Sequence, residues 1–330
     1  MKEIFTKTHF TNRIIWILLL WYVLYEVVDG ILLLFTDELL RLLVRNPSAG
    51  LSFVLEYYTP LLVSCIFFII LCLIVKKNRF MLKSIKPSRE GKSMKMLWIG
   101  LLLGFLTNFF CILCALIHGD IKLYLDFSAS QIPLMIFALV SVFFQSTSEE
   151  LWCRCYLYER INVHYPLWIA IVINGTLFGL LHLGNPGISA LALADLIICG
   201  LSYSMLRWYS GSIWTCFGIH TMWNFTQNFL FGLPNSGLVS EASVFHLGAA
   251  NGTTTWVYDW VFGVEGGIPA LFIDGLLGVT IIYLACKNGR IKELGMNRGK
   301  TLEAHGLKMR VTEAEPVDPA PANAYTSEEE

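Results

Sequence analysis

Three short polar clusters interrupt the apolar second half of this chain: Glu149-Glu150-Leu-Trp-Cys-Arg154, Phe178-Gly-Leu-Leu-His182 and His220-Thr-Met-Trp-Asn224. Their residue types suit acid–base chemistry on a polar bond. A carboxylate in a low-dielectric pocket becomes a useful base, and imidazole and amide groups donate to a developing oxyanion. The spacing has content as well. Glu150 and Arg154 stand four residues apart, so on a helix they share a face and can pair. Glu149 then points about 100° away, toward different neighbours. His220 and Asn224 repeat the four-residue spacing and present to one place, and Phe178 lies one turn before His182, where it can wall a pocket. Each residue taken singly has a plain structural use: a buried ion pair, a hydrogen-bonded core histidine, an amide joining two helices. The joint pattern over three segments outlines a site.

The elements that must carry these groups are membrane helices. Of 330 residues, 55% are hydrophobic and only 15% charged, where soluble domains run nearer a quarter charged. Mean hydropathy is +0.59, and one soluble core of this size cannot hide so much apolar surface. The expected fold class is all-α: a polytopic integral membrane protein of about eight transmembrane helices. A spanning helix needs ~20 mostly apolar residues, and eight segments qualify: 14–34, 51–75, 96–117, 132–149 with a helical extension past Glu149, 167–183, 188–206, 212–231 and 268–286. The first is too long for a signal peptide and lacks a small-residue cleavage site, so it reads as a retained anchor. Ionisable groups inside such spans are costly and usually functional.

Loop charges orient the spans. Residues 76–95 carry Lys76, Lys77, Arg79, Lys83, Lys86, Arg89, Lys92 and Lys95 against one acid, Glu90, and so belong in the cytoplasm. Residues 232–266 hold no lysine or arginine, only Glu241, Asp259 and Glu265, and belong outside. Arg41 and Arg45 in the first outer loop are a mild exception. Both termini are then cytoplasmic. The expected organisation is 1–131 as N-terminal helices with the basic loop, 132–231 as a catalytic core, 232–266 as an extracytoplasmic loop, 267–286 as the last span, and 287–330 as a cytoplasmic tail. That tail becomes acidic and rich in proline and alanine, too poor in apolar surface to fold alone. With ~1.5 Å rise per residue, Glu149 lies about 16 Å inside its helix end, His182 roughly 24 Å from Pro166 and His220 about 12 Å from Ser212. All three are therefore permitted to meet near the bilayer middle. The nine cysteines lie in or beside apolar runs and form no disulfide framework. Cys111-x-x-Cys114 reads as packing rather than a metal pair. A net charge of −1 gives no sign of a nucleic-acid partner; the expected partners are the bilayer and a membrane-associated protein or peptide substrate.

Order and spacing of the three clusters resemble the CPBP family, the CAAX proteases and bacteriocin-processing enzymes also called Abi proteins. That family shows E-E-x-x-x-R, then F-x-x-x-H, then H-x-x-x-N or H-x-x-x-D. Glu149, Glu150 and Arg154 match the first motif, Phe178 and His182 the second, His220 and Asn224 the third. Cys155 stands where a glycine often follows the motif arginine. The resemblance implies an all-helical intramembrane endopeptidase in which Glu149 and His182 activate a water. His220 and Asn224 would stabilise the oxyanion, and Glu150 with Arg154 would support the site. No cofactor is required by this reading. Zinc stays open as a variant, with Glu149, His182 and His220 as a Glu-plus-two-His ligand set, although no H-E-x-x-H is present. A transporter using the same groups as a proton relay is the competing class, given weight by Asp195 and Asp274 in two further spans. A non-catalytic immunity or scaffold protein is the third. The compact chain without organellar signals favours a bacterial plasma membrane. Asn251-Gly-Thr253 fits a glycosylation sequon, a pattern short enough to occur by chance.

Overall fold

The computed structural model describes residues 7–88, 90–248 and 252–299. The acidic tail and Asn251 lie outside the described residues. Long apolar runs become helices because lipid offers no partner to a backbone N–H or C=O, and a helix satisfies both internally. The elements are α1 (Lys7–Tyr22), α2 (Gly30–Leu43), α3 (Ala49–Tyr57), α4 (Leu61–Ile74), α5 (Arg79–Ile85) and α6 (Lys92–His118), then α7 (Ile132–Glu150), α8 (Tyr158–His164), α9 (Leu167–Leu181), α10 (Ala190–Ser210), α11 (Ile213–Phe225) and α12 (Ile268–Lys287). One antiparallel pair, β1 (Lys122–Leu125) with β2 (Phe245–Gly248), is the sheet.

Among the described residues, seven helices are long and apolar enough to cross a membrane: Ile14–Leu43, Ala49–Ile74, Lys92–His118, Ala129–His164, Leu167–Gly184, Ala190–Ser210 and Ile268–Lys287. The chain is therefore an all-α polytopic membrane protein. The expected span at 212–231 is absent from that set for a physical reason. α11 runs on through a π-helical stretch, Thr226–Leu230, but carries Thr215, His220, Thr221, Asn224, Thr226, Gln227 and Asn228, all buried. It is too polar to face lipid and lies sheathed in protein. It still runs from one end of the bundle to the other. At its start Trp214 Nε1 donates to Ile85 O at 3.0 Å; past its end Val244 N donates to Phe229 O at 3.0 Å, next to the β-pair.

The two ends differ in charge. The end holding Ile85 also holds Arg290, whose Nη1 donates to Tyr209 O at 2.8 Å, and Met296, whose carbonyl accepts from Leu167 N at 2.9 Å. The basic segments 76–95 and 287–299 therefore share one end, and 119–131 and 231–267 share the other.

Two glycine pairs set the helix spacing. A Cβ on Gly100 or Gly104 of α6 would run into the carbonyl oxygens of Thr215 or Ile219 on α11, and one on Gly218 into Leu97 O. Gly175 and Gly179 of α9 meet Leu201 and Ile197 of α10 in the same way. These are G-x-x-x-G faces of the kind that bring membrane helices to backbone contact. They fix the helices that carry His220 and Phe178. The second span, expected unbroken over 51–75, is interrupted at Tyr58-Thr59-Pro60: Tyr58 N and Thr59 N both turn to Val54 O (3.2 and 3.0 Å) before α4 begins.

Gly104→Leu is expected to force α6 from α11 and lower the unfolding temperature in detergent, with a cost at or above the ~1–3 kcal/mol usual for overpacking. Gly30→Ala, whose Cβ meets nothing within 4 Å, is the control and should unfold like the wild type. For topology, Val239 is 55% exposed; a Val239→Cys reporter in a variant without native cysteines should label from outside the cell. Labelling only from the cytoplasmic face would invert the charge-based orientation.

Candidate active site

Glu149 and Glu150 are the last residues of α7, where the helix widens into a π-helical turn, Leu151–Leu157, before continuing as α8. Such turns are frequent at functional sites. Glu150 and Arg154 are both fully buried. Glu150 Oε1 accepts two hydrogen bonds, from Arg154 Nη1 at 3.0 Å and from His220 Nδ1 at 2.9 Å. Arg154 reaches further: Nη2 donates to Gly200 O at 3.4 Å, and the guanidinium carbon stands 4.0 Å from the Phe178 ring centre, a cation–π distance. This one ion pair touches α7, α9, α10 and α11.

The bond to Glu150 has a chemical consequence for His220. An ionised carboxylate only accepts, so Nδ1 carries the proton and Nε2 is the ring's remaining valence. Nε2 faces Glu149 Oε2 at 3.8 Å. The other oxygen of Glu149 accepts from Gln145 Nε2, and Gln145 Oε1 in turn accepts from Asn224 Nδ2 at 3.0 Å. Asn224 keeps its second amide hydrogen. His182 sits where α9 tightens into a 3₁₀ turn. Its Nδ1 lies 2.9 Å from Phe178 O, which makes that nitrogen the donor and leaves Nε2 for whatever enters. Rings of Phe178 and Tyr203 stand edge-on to His220 at 6.0 and 6.2 Å between centroids.

Glu149, His182, His220 and Asn224 line a cavity of about 280 Å³ together with Gln145, Phe178 and Tyr203. Residues of the broken second span, Tyr57, Tyr58 and Leu61, close another side. The structure thus gathers four of the six expected residues around one space and sets Glu150 and Arg154 behind it. Among the described residues no group of three or more His, Cys, Asp or Glu side chains is placed to hold a metal ion. All nine cysteines are free, and Cys111 donates its thiol to Thr107 O at 3.3 Å.

Two wall residues escape sequence reasoning. Gln145 lies one turn before Glu149, a spacing that could have revealed it. Glu265 carried no such signal: it belongs to the loop before α12, yet it is buried and accepts from Trp223 Nε1 at 3.0 Å and from Ser236 N and Oγ at 2.7 and 2.9 Å. Burial pushes its carboxyl above the usual range, partly offset by the Ser236 and Trp223 bonds.

A helical membrane protein with carboxylates, imidazoles and an amide around an internal cavity has the parts of an intramembrane hydrolase. Comparison with known families specifies the class: residues 131–226 match the family described as "Type II CAAX prenyl endopeptidase Rce1-like". The matched segment contains Glu149, Glu150, Arg154, His182, His220 and Asn224, so the whole site lies in the part of the chain that is similar to that protease family. A search of curated proteins returned no match.

Arg154→Met would strand the Glu150 charge in the bundle, and is expected to cost about 3–5 kcal/mol. Adding Glu150→Met should restore part of that loss, since the uncompensated charge is then gone. Thermal unfolding of the single and double variants in detergent reads the difference; equal losses would remove the ion pair from its organising place.

Proposed function

We propose that the protein is a glutamate-dependent endopeptidase that cleaves a membrane-associated protein or peptide with a water activated in this cavity. The observation that carries the reading is the convergence of Glu149, His182, His220 and Asn224 on one space within a segment that matches a protease family. Glu149 and His182 flank the water and take its proton as it attacks the scissile carbonyl. Glu149 is steadied by Gln145, and His182 presents Nε2 because Nδ1 is engaged by its own helix. The oxyanion is met by the free amide hydrogen of Asn224, and by His220 through Nε2 in its doubly protonated form. Glu150 and Arg154 hold His220 and Phe178 in place without touching substrate. The proton taken from water then passes to the leaving amine. We also propose that the protein lies in a bacterial plasma membrane with both termini inside.

The test is turnover by purified protein on a library of membrane-tethered peptides. Glu149→Gln should abolish it, because the amide cannot take a proton. Glu150→Gln should retain part of the rate and lose stability instead. Asn224→Ala should slow turnover by roughly 10²–10³-fold, as for a lost oxyanion donor, with substrate binding little changed because the missing bond matters in the transition state. Near wild-type turnover by Glu149→Gln, with Glu150→Gln dead, would exchange the two roles. About one zinc per chain in active protein, with activity lost on stripping and restored by zinc, would move Glu149, His182 and His220 to metal ligands.

A further inference from the structure

The cavity wall holds a second polar feature that the hydrolytic chemistry does not use. Asp195 on α10 and Asp274 on α12 both line the cavity, each only 1% exposed. Asp195 Oδ1 and both carboxylate oxygens of Asp274 meet no nitrogen or oxygen donor; the Cys199 thiol is the hydrogen-bonding group beside Asp274. Buried carboxylate oxygens without donors are expensive, and in a folded protein each calls for an explanation. The remaining lining sharpens the point. Glu26, Glu149 and Glu265 add further carboxylates, and among the described lining residues there is no lysine or arginine. Arg154 is spent on Glu150 and does not line the space.

A cavity with that charge asymmetry concentrates cations. The oxygens without a nitrogen or oxygen donor narrow the choice to a donor-rich group, because an ammonium has three N–H donors and no acceptor and can serve both carboxylates at once. Tyr58, Tyr203 and Trp223 line the same cavity and supply aromatic rings that suit the same ligand. Resting on the protease reading, we propose that Asp195 and Asp274 form a specificity subsite that takes the ammonium of a lysine side chain in the substrate, near the bond cleaved. The lysine stem then lies along the aromatic wall and its head completes the two aspartates. Substrates of this protein are accordingly cationic at one defined distance from the scissile bond.

The probe is a set of fluorescent, acylated decapeptides in which one lysine is walked along a neutral sequence, each matched by its norleucine and acetyl-lysine counterparts. Binding is measured on detergent-solubilised Glu149→Gln protein, which does not depend on cleavage. In at least one register lysine should bind about tenfold or more tighter than norleucine and acetyl-lysine. In Asp195→Asn and Asp274→Asn, singly and together, that ratio should fall toward one. Ratios near one in every register, or a ratio unchanged in the folded variants, would overturn the inference; the acetyl-lysine comparison decides it even if a variant fails to fold. Turnover of the same peptides by the wild type separates the two proposals. Cleavage without lysine preference removes only the subsite. Lysine preference in binding without cleavage of any peptide removes only the protease reading.

Discussion

A guanidinium and a carboxylate placed beyond the reach of water hold this bundle's site together. Isolated, either charge would be very costly at this depth. Paired at 3.0 Å, with His220, Gly200 O and the Phe178 ring as further contacts, they become a junction of four helices. The geometry explains why arginine is needed rather than lysine. A planar fork serves a carboxylate and a carbonyl on different sides while its face lies on an aromatic ring. It also explains why adjacent glutamates lead different lives. Glu150 is fully buried and saturated at one oxygen by two donors; Glu149, one residue earlier and about 100° round the helix, keeps 19% of its side chain exposed toward the cavity.

The junction works only because the helices come close enough. In lipid there is little hydrophobic gain from bringing apolar helices together, so close approach must come from shape. Gly100, Gly104 and Gly218 remove the side chains that would separate α6 from α11, and Gly175, Gly179 and Gly200 do the same for α9 and α10. His220 and Phe178 each follow one of these glycines within a few residues. Backbone contact thus sets side-chain position to within what a 2.9 Å hydrogen bond demands.

Much of this was legible. The spacing of Glu149, Glu150, Arg154, His182, His220 and Asn224 marked the polar site, and long apolar runs marked the spans. The two G-x-x-x-G pairs were also in plain view, in segments read only for hydropathy. What sequence could not supply is tertiary. That Glu150 Oε1 serves both Arg154 and His220 depends on the rotation of α11 about its axis. Glu265 joins the cavity from a loop far along the chain, through a hydrogen bond to Trp223. The span at 212–231 was rated by apolar content, yet its polar residues make sense only once neighbouring helices shield it from lipid. Pro60 was a visible breaker, but a long apolar run on either side hid the interruption.

The wide turn at Leu151–Leu157 links two buried ion pairs on one continuous helix and itself carries Arg154 of the first. Glu150, just before the turn, pairs with Arg154; downstream is Glu159, 2% exposed, with Arg207 at 3.1 Å and Arg298 close by. Each residue added to or removed from a helix rotates everything beyond it by about 100° and slides it ~1.5 Å. The turn therefore sets the phase between the two pairs, as a shim sets the angle between cams on a shaft. Apart from Arg154, side chains there can vary with the packing around them, but the number of residues cannot: a one-residue deletion between Arg154 and Glu159 would swing Glu159 off Arg207 while leaving Glu150 with Arg154 in place, and strand a charge at one end of the helix to satisfy the other.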